Sequence, residues 1–435
     1  MKMQSAEDYP LSRVPENARY GWFSVAVQRF GQLSALSQFL LGATLGFGMS
    51  FWSAFWALTL GAVILEIVSI IIGIAGQREG MSTSLLSRWA GFGRYGSAVI
   101  GLVIAISLVG WFGIQNAVFA AGLQQLIGGP PLWLWSILAG VAVIAIVTYG
   151  FLSMEWTAYV AVPLFLILSG WAIIVGLSHH PISRLIAMAP PGPHLTLSAG
   201  TTFVAGGFIV GAVITSDMTR FNRTAGDVVR QTVLGITLGE YTIGLVGVLL
   251  AHAVRSSNVV SIVYSTSGFI GTIILIMATL KINDWNLYSS TLGIVNAIDT
   301  LFNKKVSRMR TTWVIGGIGT LLAAGGILQH FEGFLIILGV AIPPIAGIML
   351  TDYWILRRSR ARLDASRQQE SIPSHMESIN WPMIASWIGA FCAGYFIHWG
   401  IQSINALVVA IVLYWVLSQI SQHAVPAAKT SEESA

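Results

Sequence analysis

The sequence predicts an all-α membrane protein with twelve transmembrane helices. Of its 435 residues, 55% are hydrophobic and only 9% are charged, so a water-soluble fold of this size would lack a polar surface. Crossing a hydrocarbon core of roughly 30 Å takes about 20 apolar residues, and runs of that kind recur from Gly31 to Ile420. These runs leave no stretch long enough for a separate soluble domain.

The apolar runs define twelve spans, numbered in chain order. They are expected near residues 26–48, 52–75, 97–125, 131–151, 157–177, 196–215, 232–253, 266–298, 312–328, 333–355, 381–397 and 401–420. The chain then divides into an N-terminal segment (1–25), five spans within 26–177, five within 196–355, two within 381–420 and a tail (421–435). No small-residue cleavage site follows the first run, so span 1 is expected to remain in the chain.

The basic residues are distributed unevenly among the connections. With twelve spans and a cytoplasmic N-terminus, 19 Lys and Arg residues lie in cytoplasmic segments, and only Arg184 and Arg255 lie on the opposite side. Basic residues mark the cytoplasmic side of membrane proteins, so the sequence predicts an inner-membrane protein with both termini in the cytoplasm. The net charge of +5 therefore reports topology and gives no support to nucleic-acid binding.

Spans 1 and 6 carry unusual segments at matching positions of the two five-span sets. Span 1 contains the run Gly31–Gln38, which has four polar side chains, and span 6 contains the glycine-rich run Ala205–Gly211. Such a pair is typical of discontinuous helices around a midplane binding site, although each run alone also fits a tight helix–helix contact. Ser34, Gln38 and Phe208 are therefore candidate substrate-binding residues.

Span 8 places a cation and a carboxylate, Lys281 and Asp284, in the middle of an apolar stretch. Residues three apart share a helix face, so the two side chains can pair. A charge at the bilayer centre costs at least about 3 kcal/mol on insertion scales, so such residues normally mark a transport pathway. We expect the pair to act in coupling, and an inert structural ion pair is the alternative.

Span 3 combines an aromatic ring with an amide. Trp111 and Gln115 are four residues apart and share one helix face. An indole stacks on flat rings, and an amide pairs with the polar edge of a heterocycle. The two residues together are typical of a site for a flat heterocycle.

Several other classes of chemistry have no support. The single cysteine, Cys392, excludes a disulfide framework and a cysteine-based metal site. No Walker loop, HExxH, GxSxG or paired-histidine pattern is present, so we expect no catalytic residues, no metal and no cofactor. Two intramembrane carboxylates, Glu66 and Glu240, have no obvious partner in the sequence, and the alternatives for them are proton carriers or carboxyls that are simply buried in protonated form.

At these same residues the chain resembles the nucleobase:cation symporter family, and its bacterial cytosine permeases in particular. The resemblance covers nearly the whole chain and rests on the order of its motifs: Gly42–Gly46 in span 1, Gly110–Gly113 in span 3, Asp217 with Arg220 and Phe221 after span 6, Asn283 and Asp284 with Leu287, Tyr288, Leu292 and Gly293 in span 8, and Ala341–Pro344 with Asp352 and Tyr353 in span 10. It implies a LeuT-like fold of two inverted five-helix repeats with two extra C-terminal helices, and alternating access around a central heterocycle.

The resemblance also assigns roles to individual residues. Trp111 corresponds to the family's stacking tryptophan, and Phe208 corresponds to the aromatic residue that covers the other ring face. Gln115 matches the glutamine of hydantoin, allantoin and uracil carriers, and Asn283 would bind the ring edge beside it. Where cytosine permeases have a glutamine and a serine, this chain has Leu108 and Val210, so cytosine itself is not the expected substrate.

The resemblance predicts a changed ion site. The family's sodium site uses two hydroxyl residues just before the asparagine that matches Asn283, and these positions hold Lys281 and Ile282 in this chain. We therefore expect a proton-coupled or sodium-independent importer of a nucleobase or related flat heterocycle, with Lys281 and Asp284 replacing the coupling ion. The alternatives are a sodium-coupled symporter with a rearranged site, a non-transporting membrane sensor, and a membrane-embedded enzyme, which lacks a catalytic constellation.

Overall fold

The computed structural model describes residues 9, 12–33, 35–148, 167, 170–171, 174–175 and 181–424. Regular structure in this part of the chain is helical, apart from one isolated bridge between Tyr20 and Asn222. Ser34, most of predicted span 5 and most of the C-terminal tail lie outside the described residues.

Helices occupy the positions of eleven predicted spans within the described residues. They run over Trp22–Leu33 and Leu36–Gly48 (span 1), Phe51–Glu79 (span 2), Gly93–Ile127 (span 3), Leu132–Thr148 (span 4), Leu197–Val213 (span 6), Ala225–Val254 (span 7), Val259–Phe302 (span 8), Arg308–Ala324 (span 9), Ile327–Leu356 (span 10), Trp381–Phe396 (span 11) and Gln402–Ala424 (span 12). Six of them, in spans 2, 3, 7, 8, 10 and 12, are long and apolar enough to cross a membrane. The chain is therefore an all-helical, multi-pass membrane protein, and the number of crossings stays a prediction.

The two segments predicted to be discontinuous behave differently. In span 1 one helix ends at Leu33 and the next begins at Leu36, as the polar run indicates. In span 6 the predicted interruption is wrong, because the helix continues through the glycine run to Val213. A Cβ added at Gly206 would lie 2.0 Å from the Leu335 carbonyl oxygen of span 10. Gly206 therefore allows close packing of span 6 on span 10, and the glycine run does not unwind.

Spans 1 and 7 also approach each other through glycines. A Cβ at Gly42 would lie 2.1 Å from the Gly244 carbonyl oxygen, and one at Gly46 would lie 2.6 Å from the Val248 carbonyl oxygen. Residues 42 and 46 are four apart, so both face the same neighbouring helix. The Gly42–Gly46 motif is thus explained by the contact between the second half of span 1 and span 7.

Local distortions interrupt three other helices. Span 7 contains a π-helical turn at Glu240–Gly244, and span 10 contains one at Thr351–Leu356. Span 8 is kinked at Gly268, whose φ of 60° is accessible to glycine at little cost. Because π-helical turns occur frequently at functional sites, the turn at Glu240 is a candidate functional position.

Ionic contacts join the ends of spans 2 and 10 on the predicted cytoplasmic side. The buried Glu79 carboxylate lies 2.8 Å from Arg13 and 2.8 Å from Arg367, and the Tyr353 hydroxyl donates to it at 2.6 Å. These partners belong to the N-terminal segment, to the connection after span 10 and to span 10 itself. The carboxylate of one residue thus holds three distant segments together.

Asp217 and Arg220 form a second contact on this side, just after span 6. The Thr83 amide donates to Asp217 Oδ1 at 2.7 Å, and Arg220 donates to the Tyr9 carbonyl oxygen at 2.8 Å. Burial raises the pKa of the Asp217 carboxyl above its usual range, and the Thr83 amide and the Arg220 charge act in the opposite direction. These hydrogen bonds therefore join the connection after span 6 to the connection after span 2 and to the N-terminal segment.

Candidate substrate site

Trp111 lies inside the protein, against the first turns of span 10. Its side chain is 8% exposed, and its ring centroid lies 6.0 Å from that of Phe331 and 5.3 Å from that of Phe334. Both contacts are close to edge-to-face, with interplanar angles of 69° and 85°. Gly110 makes room for the second ring, because a Cβ there would lie 2.4 Å from Phe334. The indole is therefore held in one orientation by its edge contacts.

Spans 3 and 8 pack side by side in antiparallel directions. A Cβ at Gly122 would lie 2.8 Å from Ile276, and a Cβ at Gly293 would lie 3.2 Å from the Gly101 carbonyl oxygen. Residue numbers therefore decrease along span 3 in the direction in which they increase along span 8. These two glycine contacts fix which residues of the two helices lie at the same depth.

Gln115 and Asn283 lie at the same depth of this helix pair. Gln115 precedes Gly122 by seven residues, and Asn283 follows Ile276 by seven residues. Seven residues are two helical turns, about 10 Å, so Gln115 and Asn283 lie equally far from the Gly122–Ile276 contact. Each also lies on the face of its helix that makes this contact. Gln115 is 1% exposed and Asn283 is 0% exposed. Gln115 Oε1 and both amide atoms of Asn283 have no hydrogen-bond partner in the described part of the chain. Buried polar atoms are normally paired, so these amides are suited to a ligand.

Phe208 is half-buried and packs against the same apolar cluster that contains Trp111. Its ring lies against its own helix, where a Cβ at Gly211 would come within 2.6 Å. Among the described ring contacts, Trp111 pairs with the two span 10 phenylalanines and not with Phe208. A clamp that holds a heterocycle between Trp111 and Phe208 therefore stays a prediction.

The structure brings Gln38 to a partner that the sequence did not indicate. Its amide nitrogen donates to Glu240 Oε2 in the π-helical turn of span 7. Gln38 lies next to the interruption of span 1, because its backbone amide donates to the Ala35 carbonyl oxygen at 3.0 Å. Ser34, the other candidate in this run, lies outside the described residues. Contact of either residue with substrate stays a prediction.

Lys281 and Asp284 form the ion pair that their spacing allows. Lys281 Nζ lies 3.3 Å from Asp284 Oδ1, and their side chains are 23% and 0% exposed. The Asp284 carboxylate is therefore buried, whereas part of the Lys281 side chain remains accessible. The role of the pair in coupling stays a prediction.

Three interior residues with specific contacts were not predicted from the sequence: Phe331 and Arg29 are buried, and Phe334 is partly buried. Phe331 and Phe334 orient Trp111, and their spacing of three at the start of span 10 was the available signal. Arg29, also within span 1, is 0% exposed and donates to Gln231 Oε1 at 3.0 Å and to the Thr215 hydroxyl. Because Gln231 and Thr215 are 202 and 186 positions away from Arg29, these contacts were not predictable from the sequence.

An interrupted membrane helix and buried, unpaired amides on two packed membrane helices are typical of membrane transport proteins. The fold is similar to that of Mhp1, a nucleobase-cation-symport-1 family transporter. The inward-facing structure of Mhp1 matches with a TM-score of 0.80 and 19% identity over 95% of this chain and 93% of that chain. A closed structure with bromovinylhydantoin bound matches with a TM-score of 0.75 and 20% identity over 96% of each chain. These similarities show a fold of the LeuT-like kind.

The chain belongs to the family of permeases for cytosine/purines, uracil, thiamine and allantoin, whose model matches residues 13–418. It is 28% identical to the cytosine permease of Escherichia coli strain K12 over 99% of both chains. It is 22% identical to the hydantoin permease of Microbacterium maritypicum over 90% of this chain and 83% of that protein. The nucleobase:cation symporter assignment is thereby confirmed, and the chain is a secondary transporter of small heterocycles.

Proposed function

We propose that this protein imports a nucleobase or a related small flat heterocycle without using sodium. The observation that carries the proposal is the pair of buried amides, Gln115 and Asn283, at one depth of the span 3–8 contact, with Gln115 one turn from Trp111. Amides present both donors and acceptors, which match the alternating N–H and C=O groups of such rings. The hydantoin, allantoin and cytosine permeases among its relatives carry heterocycles of this kind.

In this proposal each side chain has a separate task. Trp111 and Phe208 stack on the two faces of the ring, and Gln115 and Asn283 bind its polar edge. Lys281, held by Asp284, supplies the positive charge that a sodium ion supplies in related carriers. Ile282 has no hydroxyl to ligate an ion, which supports a site that works without sodium.

We also propose a topology for the whole chain. The protein has twelve spans, two inverted repeats at residues 26–177 and 196–355, two extra helices within 381–420, and both termini on the cytoplasmic side of the inner membrane. The charge distribution supports this orientation, because it places 19 basic residues inside and two outside. Reporter fusions at Arg310 and at Ala435 test it, and a periplasmic signal from both would contradict it.

The proposed function is tested in two steps. Purified protein is first screened for thermal stabilisation by cytosine, uracil, purines, hydantoins, allantoin and thiamine-type pyrimidines, since a ligand that binds only the folded state raises its melting temperature. The best ligand is then offered in labelled form to proteoliposomes, with sodium and proton gradients imposed separately. We expect uptake without sodium. Stabilisation without any uptake would favour a sensor, and uptake that requires sodium would favour the sodium-coupled alternative.

Gln115→Leu is expected to change which heterocycles bind. Leucine is similar in size to glutamine, and it removes a buried acceptor that has no partner in the described structure, so thermal stability should be unchanged or slightly higher. A ligand whose N–H group pairs with that acceptor should lose tenfold or more in affinity, whereas ligands without this group should bind as before. The measurement is the binding profile across the heterocycle panel.

The neighbouring residue supplies a matched control for this substitution. Asn116 is equally buried, but its amide nitrogen donates to the Ser136 carbonyl oxygen at 2.8 Å. Asn116→Leu should therefore lower thermal stability and leave the order of ligand preference unchanged. An unaltered preference profile in Gln115→Leu would show that Gln115 only packs.

A further inference from the structure

A buried carboxylate in span 7 is placed to bind a proton. Glu240 is 0% exposed and lies in a π-helical turn. Its Oε2 accepts from the Gln38 amide, and its Oε1 has no partner in the described part of the chain. None of the ion pairs among the described residues includes Glu240. A buried carboxylate without a cation is costly when charged, and binding a proton removes that cost.

Among the described residues, the other titratable groups around Glu240 do not supply a counter-charge. Span 2 contributes Glu66, which accepts from the Thr237 hydroxyl at 2.6 Å and carries the same sign of charge. In span 7 itself, the Tyr241 hydroxyl is bound to Thr59 at 2.8 Å, and His252 contacts backbone oxygens three turns away. The packed half of span 1, Leu36–Gly48, has no titratable side chain. In its first half, Arg29 bonds to Gln231 and Thr215 instead.

We infer that Glu240 binds the proton that drives import, and that Gln38 couples this proton to the substrate site. The inference rests on the proposed function and adds the site of the coupling proton to it. A charged carboxylate holds an amide donor about twice as strongly as a neutral acceptor does. With Glu240 charged, the Gln38 amide is held on span 7. With Glu240 protonated, that bond weakens and the amide becomes available to a heterocycle at the interruption of span 1.

This arrangement makes proton binding and substrate binding reciprocal. A proton enters from the aqueous side on which the substrate site is open, and it leaves Glu240 on the opposite side together with the heterocycle. Each ligand must raise the affinity for the other by the same factor. Substrate affinity of the unmodified protein is therefore expected to rise as the pH falls, with Glu240 as the titrating group.

The test compares Glu240→Gln with two other carboxylate neutralisations. Glutamine keeps the shape of the side chain and an acceptor for Gln38 but cannot bind or release the proton. In proteoliposomes we expect Glu240→Gln to bind and exchange the heterocycle without pH dependence, and to lose at least tenfold in accumulation driven by a proton gradient. Glu332→Gln, at an exposed position at the start of span 10, controls for loss of one negative charge and should behave as the unmodified protein.

Two outcomes would overturn the inference. Accumulation by Glu240→Gln equal to that of the unmodified protein excludes Glu240, and loss of coupling in Glu66→Gln alone assigns the proton to the neighbouring carboxylate. A second readout requires no substrate: the infrared band of a protonated carboxyl should titrate in the unmodified protein and be absent from Glu240→Gln. Failure of the unmodified protein to bind any heterocycle would overturn the proposed function, whereas the infrared titration would still decide whether Glu240 holds a proton.

Discussion

Replacing Lys281 with alanine is expected to abolish sodium-independent accumulation of the heterocycle. The substitution removes the ammonium that lies 3.3 Å from the Asp284 carboxylate, and with it the charge proposed to replace the coupling ion. Added sodium should not rescue uptake, because Ile282 offers no hydroxyl ligand. Lys281→Arg keeps the positive charge and should retain sodium-independent binding. The measurement is uptake by proteoliposomes with sodium and proton gradients imposed separately.

Two controls separate coupling from stability in this experiment. Asp284 is 0% exposed, so Lys281→Ala leaves a buried carboxylate without this cation and is expected to lower thermal stability. The double variant Lys281→Ala with Asp284→Asn removes both charges, and it should regain thermal stability without regaining uptake. Lys305→Ala removes an exposed lysine between spans 8 and 9 and should have no effect. Normal uptake by Lys281→Ala under a sodium gradient would show that Lys281 has no role in coupling.

Trp111→Ala is expected to weaken heterocycle binding by tenfold or more. An aromatic stack contributes about 1 kcal/mol beyond area burial, and the lost contact area adds to it, whereas tenfold in affinity corresponds to about 1.4 kcal/mol. The substitution also leaves a cavity against Phe331 and Phe334, so thermal stability falls as well. Ligand-induced thermal stabilisation and direct binding measure the two effects separately.

Matched substitutions distinguish stacking from general damage at this position. Trp111→Phe keeps a flat ring and should retain most of the affinity. Trp133→Ala removes a tryptophan that is 52% exposed on span 4, and it should leave binding unchanged. Phe208→Ala should weaken binding to a similar extent as Trp111→Ala if both rings contact the ligand. Unchanged binding in both alanine variants would move the substrate site elsewhere.

The interruption of span 1 and the glycine run of span 6 show which features of helix continuity the local sequence predicts and which it does not. Both runs are rich in residues that tolerate a broken helix, but only span 1 is interrupted, between Leu33 and Leu36. In span 6 the deciding factor is the backbone of span 10, which approaches Gly206 too closely for a side chain. A glycine for unwinding and a glycine for close packing look the same in sequence, because the difference lies in the neighbouring helix.

In the candidate site, too, some features were predicted from the sequence and others depended on the tertiary structure. Trp111 and Gln115 were predicted from residue type and spacing, because a buried amide inside an apolar helix is costly unless it has a partner. The role of Asn283 was predicted from the resemblance to the family. Their common depth emerged only from the packing of spans 3 and 8. Gln38 was predicted as a substrate ligand from its place in span 1, and its bond to Glu240 was not predictable, because the two residues are 202 positions apart.

The sequence by itself determined that this protein is a multi-pass helical membrane protein of the nucleobase:cation symporter family. Bilayer thickness sets the length of each apolar run, so this information is local and can be counted residue by residue. Only the tertiary structure decided which polar side chains meet, such as Gln38 with Glu240, or Glu79 with Arg13 and Arg367. A buried polar group is stabilised by whichever partner the folded chain brings within hydrogen-bonding distance, and the packing of helices and connections fixes that partner.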